Sequence, residues 1–144
     1  MQPLTEVQHD GKTFLKVFFH ETLNYLYGDW IGYITRQHAM KGCTALLDWA
    51  KAHARELGCV AMVADTRHVR GSWDPALEWL GQSFNPPMYE LGFRWCAIVM
   101  SKDLSAQVSA ENMAAASSKD TLIYFPVHTL PAAEAWIEKM RAAG

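Results

Sequence analysis

The chain has 144 residues and carries 13 Lys plus Arg against 15 Asp plus Glu, a formal net charge of −2. Half of its residues are hydrophobic and 19% are charged. That is too apolar for a disordered chain, and without a basic excess it does not fit a general nucleic-acid binder. Six Trp, five Tyr and six Phe supply a core, and a domain of this length buries roughly two-thirds of its unfolded surface without a disulfide or metal staple.

Residues 1–12 are polar and are expected to be a flexible or loosely attached N-terminus to a single domain spanning residues 1–144. They lack the basic start and the apolar stretch of ~7–15 residues that a secretory signal needs. No apolar run approaches the ~20 residues of a membrane span. Thr13 to His20 (TFLKVFFH) is β-branched and aromatic and predicts a strand. Glu21-Thr22 is short enough for a turn, and Leu23 to Tyr27, extending toward Ile31, predicts the antiparallel partner. Gly28 and Gly32 bracket Asp29-Trp30-Ile31 and suggest a bulge there.

The period then changes. Ala39, Met40, Cys43, Leu46, Leu47, Ala50, Ala54 and Leu57 recur at helical intervals, with Thr35 as cap and Gly58 as left-handed stop. Cys59 to Ala64 is a short apolar run and predicts a strand buried on both faces. Asp65 to Trp73 predicts a loop. Asp74-Pro75 predicts a helix start with Asp74 as cap, and Asn85-Pro86-Pro87 its break. Trp95 to Met100 predicts a strand, Asp103 to Ser118 a helix, Thr121 to Phe125 a last strand, and Thr129 to Ala142 a closing helix.

The order β-β-α-β-α-β-α-β-α places the chain in the α/β class. It predicts a mixed, mostly parallel sheet of about five strands with an N-terminal antiparallel hairpin. If each strand lies beside the last, the right-handed crossovers put the main helices on one face. The carboxyl-end rim of such a sheet is where ligands usually sit. It collects Asp29 and Trp30, the stretch Asp65 to Trp73, and Ser101-Lys102-Asp103. Asp65, Thr66, Arg67, His68 and Arg70 place a carboxylate, a hydroxyl, an imidazole and two guanidinium groups close together, and either arginine can grip an anionic group. Trp30, Trp73 and Phe84 are candidates for an apolar pocket wall or partner surface, weighed against a plain role in the core. Lys102 completes the set of candidate binding residues.

No metalloprotease, nucleophile-elbow, phosphate-loop or dinucleotide motif occurs. No metal site or cofactor is expected, and the enzyme reading leans negative. Cys43, Cys59 and Cys96 form no C-x-x-C pair. They are expected to be buried thiols in a protein of the reducing cytoplasm.

Leu23 to Trp30 (LNYLYGDW), Val60 to Arg67 (VAMVADTR), Arg94 to Met113 (RWCAIVMSKDLSAQVSAENM) and Ile123 to Ile137 (IYFPVHTLPAAEAWI) resemble the SpoIIAA-like group. That group includes STAS domains and small bacterial STAS-like, lipid-transfer-like proteins. The resemblance implies a right-handed β-α superhelix. Anti-sigma antagonists of the group carry Asp-Ser-Ser-Gly after a strand, with the first Ser phosphorylated. Asp65 and Thr66 match the Asp and the phosphoacceptor position, but Arg67-His68 replaces Ser-Gly. The expected function is a non-catalytic binding or regulatory module acting through its strand-end loops. The alternatives are a carrier of a small apolar or anionic ligand, and a small hydrolase-like enzyme using Asp65, Thr66 or His68. A protein partner or a second copy of the chain at an exposed sheet edge is the expected contact.

Overall fold

The computed structural model of the protein describes residues 2–117 and 120–144. Its sheet has six strands in sequential order: β1 (Thr5–His9), β2 (Lys12–His20), β3 (Tyr25–Gly32), β4 (Ala61–Val69), β5 (Trp95–Val99) and β6 (Ile123–Val127). β1–β2 and β2–β3 pair antiparallel, and every later pair is parallel. The strand beyond the expected count of about five is β1, so residues 5–9 are not a loosely attached N-terminus. They pair with β2 across a bulge. Their side chains stay largely exposed, which is why no alternating apolar pattern marked them.

Helix α1 (Arg36–Leu57) begins at Thr35, whose hydroxyl accepts from the His38 amide, and ends at Gly58 with φ 62°. That backbone conformation favours glycine. Helix α4 (Leu104–Ala115) is capped by the Asp103 carboxylate and α5 (Leu130–Ala143) by Thr129. The predicted end of α4 at Ser118 lies outside the described residues.

Residues 74–90 depart furthest from expectation. They form one continuous composite helix: a 3-10 turn (Asp74–Ala76), the short α2 (Leu77–Trp79), a π turn (Leu80–Phe84) and α3 (Asn85–Glu90). Asn85-Pro86-Pro87 therefore does not break the helix. In an α register each proline ring would strike the carbonyl four residues back. Here the Asn85 N–H reaches back five residues to Leu80, and the widened turn lets Pro86 and Pro87 begin a fresh helical turn, where no N–H is needed. Asp74 does not cap the helix either. Its carboxylate accepts from Ser109 Oγ at 2.8 Å and from the Asn112 amide.

Strand alternation divides the core. On one face lie Leu15, Val17, Leu26, Trp30, Met62, Cys96, Ile98 and Tyr124, packed with side chains of α1, the composite helix and α4. On the other lie Tyr25, Ala61, Val63, Ala97, Val99 and Val127 against Ala133 and Ile137 of α5. Strand β4 runs to Val69, so Asp65 to Val69 is not a loop. Tyr27–Val63 and Gly28–Ala64 pairing continues into Asp29–Asp65 before a bulge, and the polar residues of β4 are strand residues. The last strand also starts two residues later than expected, at Ile123. Among the described residues, no helix is long and apolar enough to cross a membrane.

Candidate functional site: an apolar cavity and an acid–aromatic cluster on opposite sheet faces

The strand ends do form one stitched rim. The Arg70 N–H donates to Gly32 O at 3.0 Å, Ser101 Oγ to Val69 O at 2.7 Å, and the Gly71 N–H to the Asp103 carboxylate at 3.0 Å. Behind the rim, alternation sends the candidate residues in opposite directions. Trp30, Thr66, Trp73 and Phe84 go to the face covered by α1, while Asp29, Asp65 and Arg67 go to the other. Arg70 and Lys102 remain exposed on the rim itself.

The first face holds a cavity of about 70 Å³ between the sheet, α1, the composite helix and α4. Trp30 and Ile34 line it from the end of β3 and the segment after it; Leu80, Phe84 and Ala76 come from the composite helix, Met113 from α4, Cys43 from α1 and Cys96 from β5. The aromatics pack the core, and the same buried rings line the space. Thr66 is 6% exposed, and its hydroxyl donates to Val99 O at 2.7 Å. Tyr124 Oη donates to Asn85 Oδ1 at 2.6 Å. Burial raises the acidities' pKa values throughout this wall: the Cys43, Cys96 and Tyr124 protons are all held more tightly than usual. These thiols are poor nucleophiles. The indole N–H of Trp73 is buried without a hydrogen-bond partner.

The opposite face carries a row of aromatic and acidic groups. Tyr27 Oη donates to Asp65. The Arg67 guanidinium grips the same carboxylate through Nε at 3.0 Å and Nη2 at 2.6 Å, and the Arg67 N–H adds a third contact at 3.0 Å. Burial pushes the Asp65 carboxyl up, but its bonds from Arg67 and Tyr27 outweigh that and hold it below the usual range. Asp29, its neighbour across the β3–β4 ladder, has no such partner. Burial and the Asp65 charge raise its pKa, and His68 Nδ1, 3.7 Å away, offsets them only in part. Burial and the Asp65 carboxylate raise Tyr27 as well. At the α5 end, Tyr25 Oη donates to Glu134 at 2.7 Å and stacks on His20.

These contacts correct several residue-level expectations. Arg67 is already neutralised by Asp65, so it is not a free grip for an anionic ligand. His68 faces Asp29 rather than Asp65. The Thr66 hydroxyl is turned inward to a carbonyl, where a phosphate donor has no approach. Tyr27, Asn85, Met113 and Tyr124 escaped the sequence reading. A strict period of two along β3 would have caught the first, because it groups Tyr25, Tyr27 and Asp29 on one face against Leu26, Gly28 and Trp30 on the other. The other three carry no sequence signal, because only the tertiary fold brings them to the cavity.

Among the described residues, no group of three or more His, Cys, Asp or Glu is placed to hold a metal ion. The fold and site together define an α/β protein with a sequentially ordered mixed sheet and an apolar chamber on one of its faces. No family model, curated protein or solved structure matches the chain.

Proposed function

We propose that the protein is a non-catalytic binding module of the STAS-like kind, held in the cytoplasm, whose chamber takes a small apolar molecule or the apolar part of a larger one. The observation that carries this reading is the cavity of about 70 Å³ with its apolar wall. Filling such a space is worth about 24 cal/mol per Å³, or about 1.7 kcal/mol, to any apolar group that enters. The sequential strand order and the placement of α1, the composite helix and α4 on one face support a right-handed β-α superhelix. The three unpaired, buried cysteines support a reducing compartment. The inward bond of the Thr66 hydroxyl argues against phosphorylation as the means of regulation.

Xenon titrated into the protein, followed by methyl resonances of Met62, Ile98 and Met113, tests the chamber directly. It is expected to shift those methyls and to raise the melting temperature. Ala76→Leu, which extends a buried wall residue into the space, is expected to abolish both effects. Unchanged methyl resonances at probe saturation would sink the reading.

A second reading, contact with a protein partner or a second copy, is favoured by the part of the other sheet face where Lys16, Phe18 and Tyr27 stay half-buried beside exposed Arg67 and His68. Sedimentation velocity at high concentration distinguishes self-association from a monomer, and Arg67→Glu is expected to weaken any dimer that uses this face.

A further inference from the structure

Among the described residues, the two most exposed large apolar side chains are Leu104 at 74% and Tyr33 at 69%, and both stand at the strand-end rim. Val108, at 50%, lies one turn along α4 on the same side as Leu104. Contacts join the three into one surface. The Tyr33 ring lies against Gly71, where an added Cβ would come within 3.1 Å of it. The Gly71 N–H donates to the Asp103 carboxylate, and Asp103 leads directly into Leu104. A single exposed leucine or tyrosine is ordinary. Several on one edge of a folded protein mark a place of contact.

The same rim is cationic. Arg36 opens α1, Arg70 follows β4 and Lys102 follows β5, and all three are exposed. Among the described residues none of them has an ion-pair partner. The acid beside them, Asp103, is already answered by the N–H groups of Gly71, Ser105 and Ala106. Asp74 is likewise held, by Ser109 and Asn112. Glu111, one turn beyond Val108, ends the apolar stripe. Helices α1 and α4 both start at the rim, and the positive ends of their dipoles add to its potential. The chain as a whole carries −2, so this positive character is local.

Exposed apolar side chains set among unpaired cations fit a segment of opposite charge that carries apolar side chains of its own. An anionic membrane is the poorer match. Polybasic attachment takes clusters of ~4–8 Lys and Arg, more than this rim holds, and the chain's net charge is negative.

We infer that the strand-end rim is a docking surface for an acidic, amphipathic segment of a protein partner. Tyr33, Leu104 and Val108 take its apolar side chains, and Arg36, Arg70 and Lys102 take its carboxylates. The surface is distinct from the chamber and from the half-buried sheet face beside Arg67, and does not depend on either.

The test titrates a fluorescein-labelled peptide of glutamate and leucine, its glutamine and lysine counterparts, and phosphatidylserine vesicles against the full chain at low salt. The glutamate peptide is expected to bind roughly tenfold more tightly than the glutamine peptide and to weaken as salt rises. The lysine peptide and the vesicles are expected not to bind. Arg70→Glu, Lys102→Glu is expected to abolish the preference for glutamate; Arg70→Gln, Lys102→Gln serves if charge reversal lowers the melting temperature. Leu104→Ser and Tyr33→Ser, which change exposed side chains, are each expected to weaken the glutamate peptide roughly tenfold. Leu57→Ser, an exposed leucine at the far end of α1, is expected to change nothing. Equal binding of the glutamate and glutamine peptides overturns the inference, as does a preference that survives both charge variants or an equal loss in Leu57→Ser. Tight vesicle binding would make the rim a membrane surface instead. Self-association abolished by Leu104→Ser would make its occupant a second copy of the chain, and either result also overturns the inference.

Discussion

Asp65 is charged in spite of its burial because four donors, from Tyr27 and Arg67, converge on it. A buried carboxylate without partners would take up a proton instead. Asp65→Asn keeps the shape but loses the charge that Arg67 and Tyr27 answer. It is expected to destabilise the fold by about 2 kcal/mol, measured as a lowered urea midpoint. Asp65 and Asp29 respond to pH in opposite senses. The stability due to Asp65 is present above the ordinary carboxylate range and is lost as pH falls through its lowered value. Asp29 favours the proton in the folded state, so its contribution is greatest at acid pH and is lost as pH rises through its raised value. Asp29→Asn is therefore expected to raise the urea midpoint at neutral pH, and the gain should vanish at pH below the ordinary carboxylate range. Thr66→Val tests the inward hydroxyl. It should cost about 1 kcal/mol without altering any binding to the chamber, since the methyl groups keep the wall apolar.

Among the elements, α1 and the composite helix contrast in how openly their residues declare them. The apolar stripe from Ala39 to Leu57, with Thr35 before it and Gly58 after it, specifies α1 locally, and the helix forms where that pattern places it. The composite helix is specified by its surroundings. Pro86 and Pro87 argue for an end, yet Phe84 and Met88 are buried on the sheet face and hold the chain helical across them. Local signals report what a segment prefers in isolation, and burial of large side chains overrides a preference of this size. The same limit applied to Asp65 to Val69. A run of charged residues reads as a loop, but here Asp65 pairs with Arg67 on its own strand and with Tyr27 on β3, and His68 faces Asp29 on β3. Packing at the crossing of α1 and β3 is tight. A Cβ added at Gly42 would come within 2.6 Å of the Trp30 ring and 2.9 Å of Leu15. Gly42→Ala is expected to cost about 1–3 kcal/mol, read by thermal unfolding. It should also push Trp30 toward the chamber and weaken xenon binding.

For the molecule as a whole, class, strand order and the shared rim were legible in the alternation of strand and helix patterns. The division of the rim residues between two faces was not, because it depends on a register that begins at Tyr25 and a bulge beyond Asp29. Three helical segments cover one face, but α5 alone covers the buried part of the other. Its Arg141 reaches back to carbonyls of Leu23 and Asn24 at the β2–β3 turn, and its Glu134 to Tyr25. Truncation before Thr129 is expected to leave helical far-UV dichroism while near-UV signal is lost and dye binding to exposed apolar surface appears.

Because each strand joins the sheet beside its predecessor, a nascent chain can add layers in the order in which they leave the ribosome. The exception is the contact between α5 and the β2–β3 turn, which spans more than a hundred residues. Val63, Ala97 and Val99 therefore wait uncovered until α5 has been made. A stalled or prematurely terminated product would carry a finished chamber on one side and a bare, aggregation-prone surface on the other.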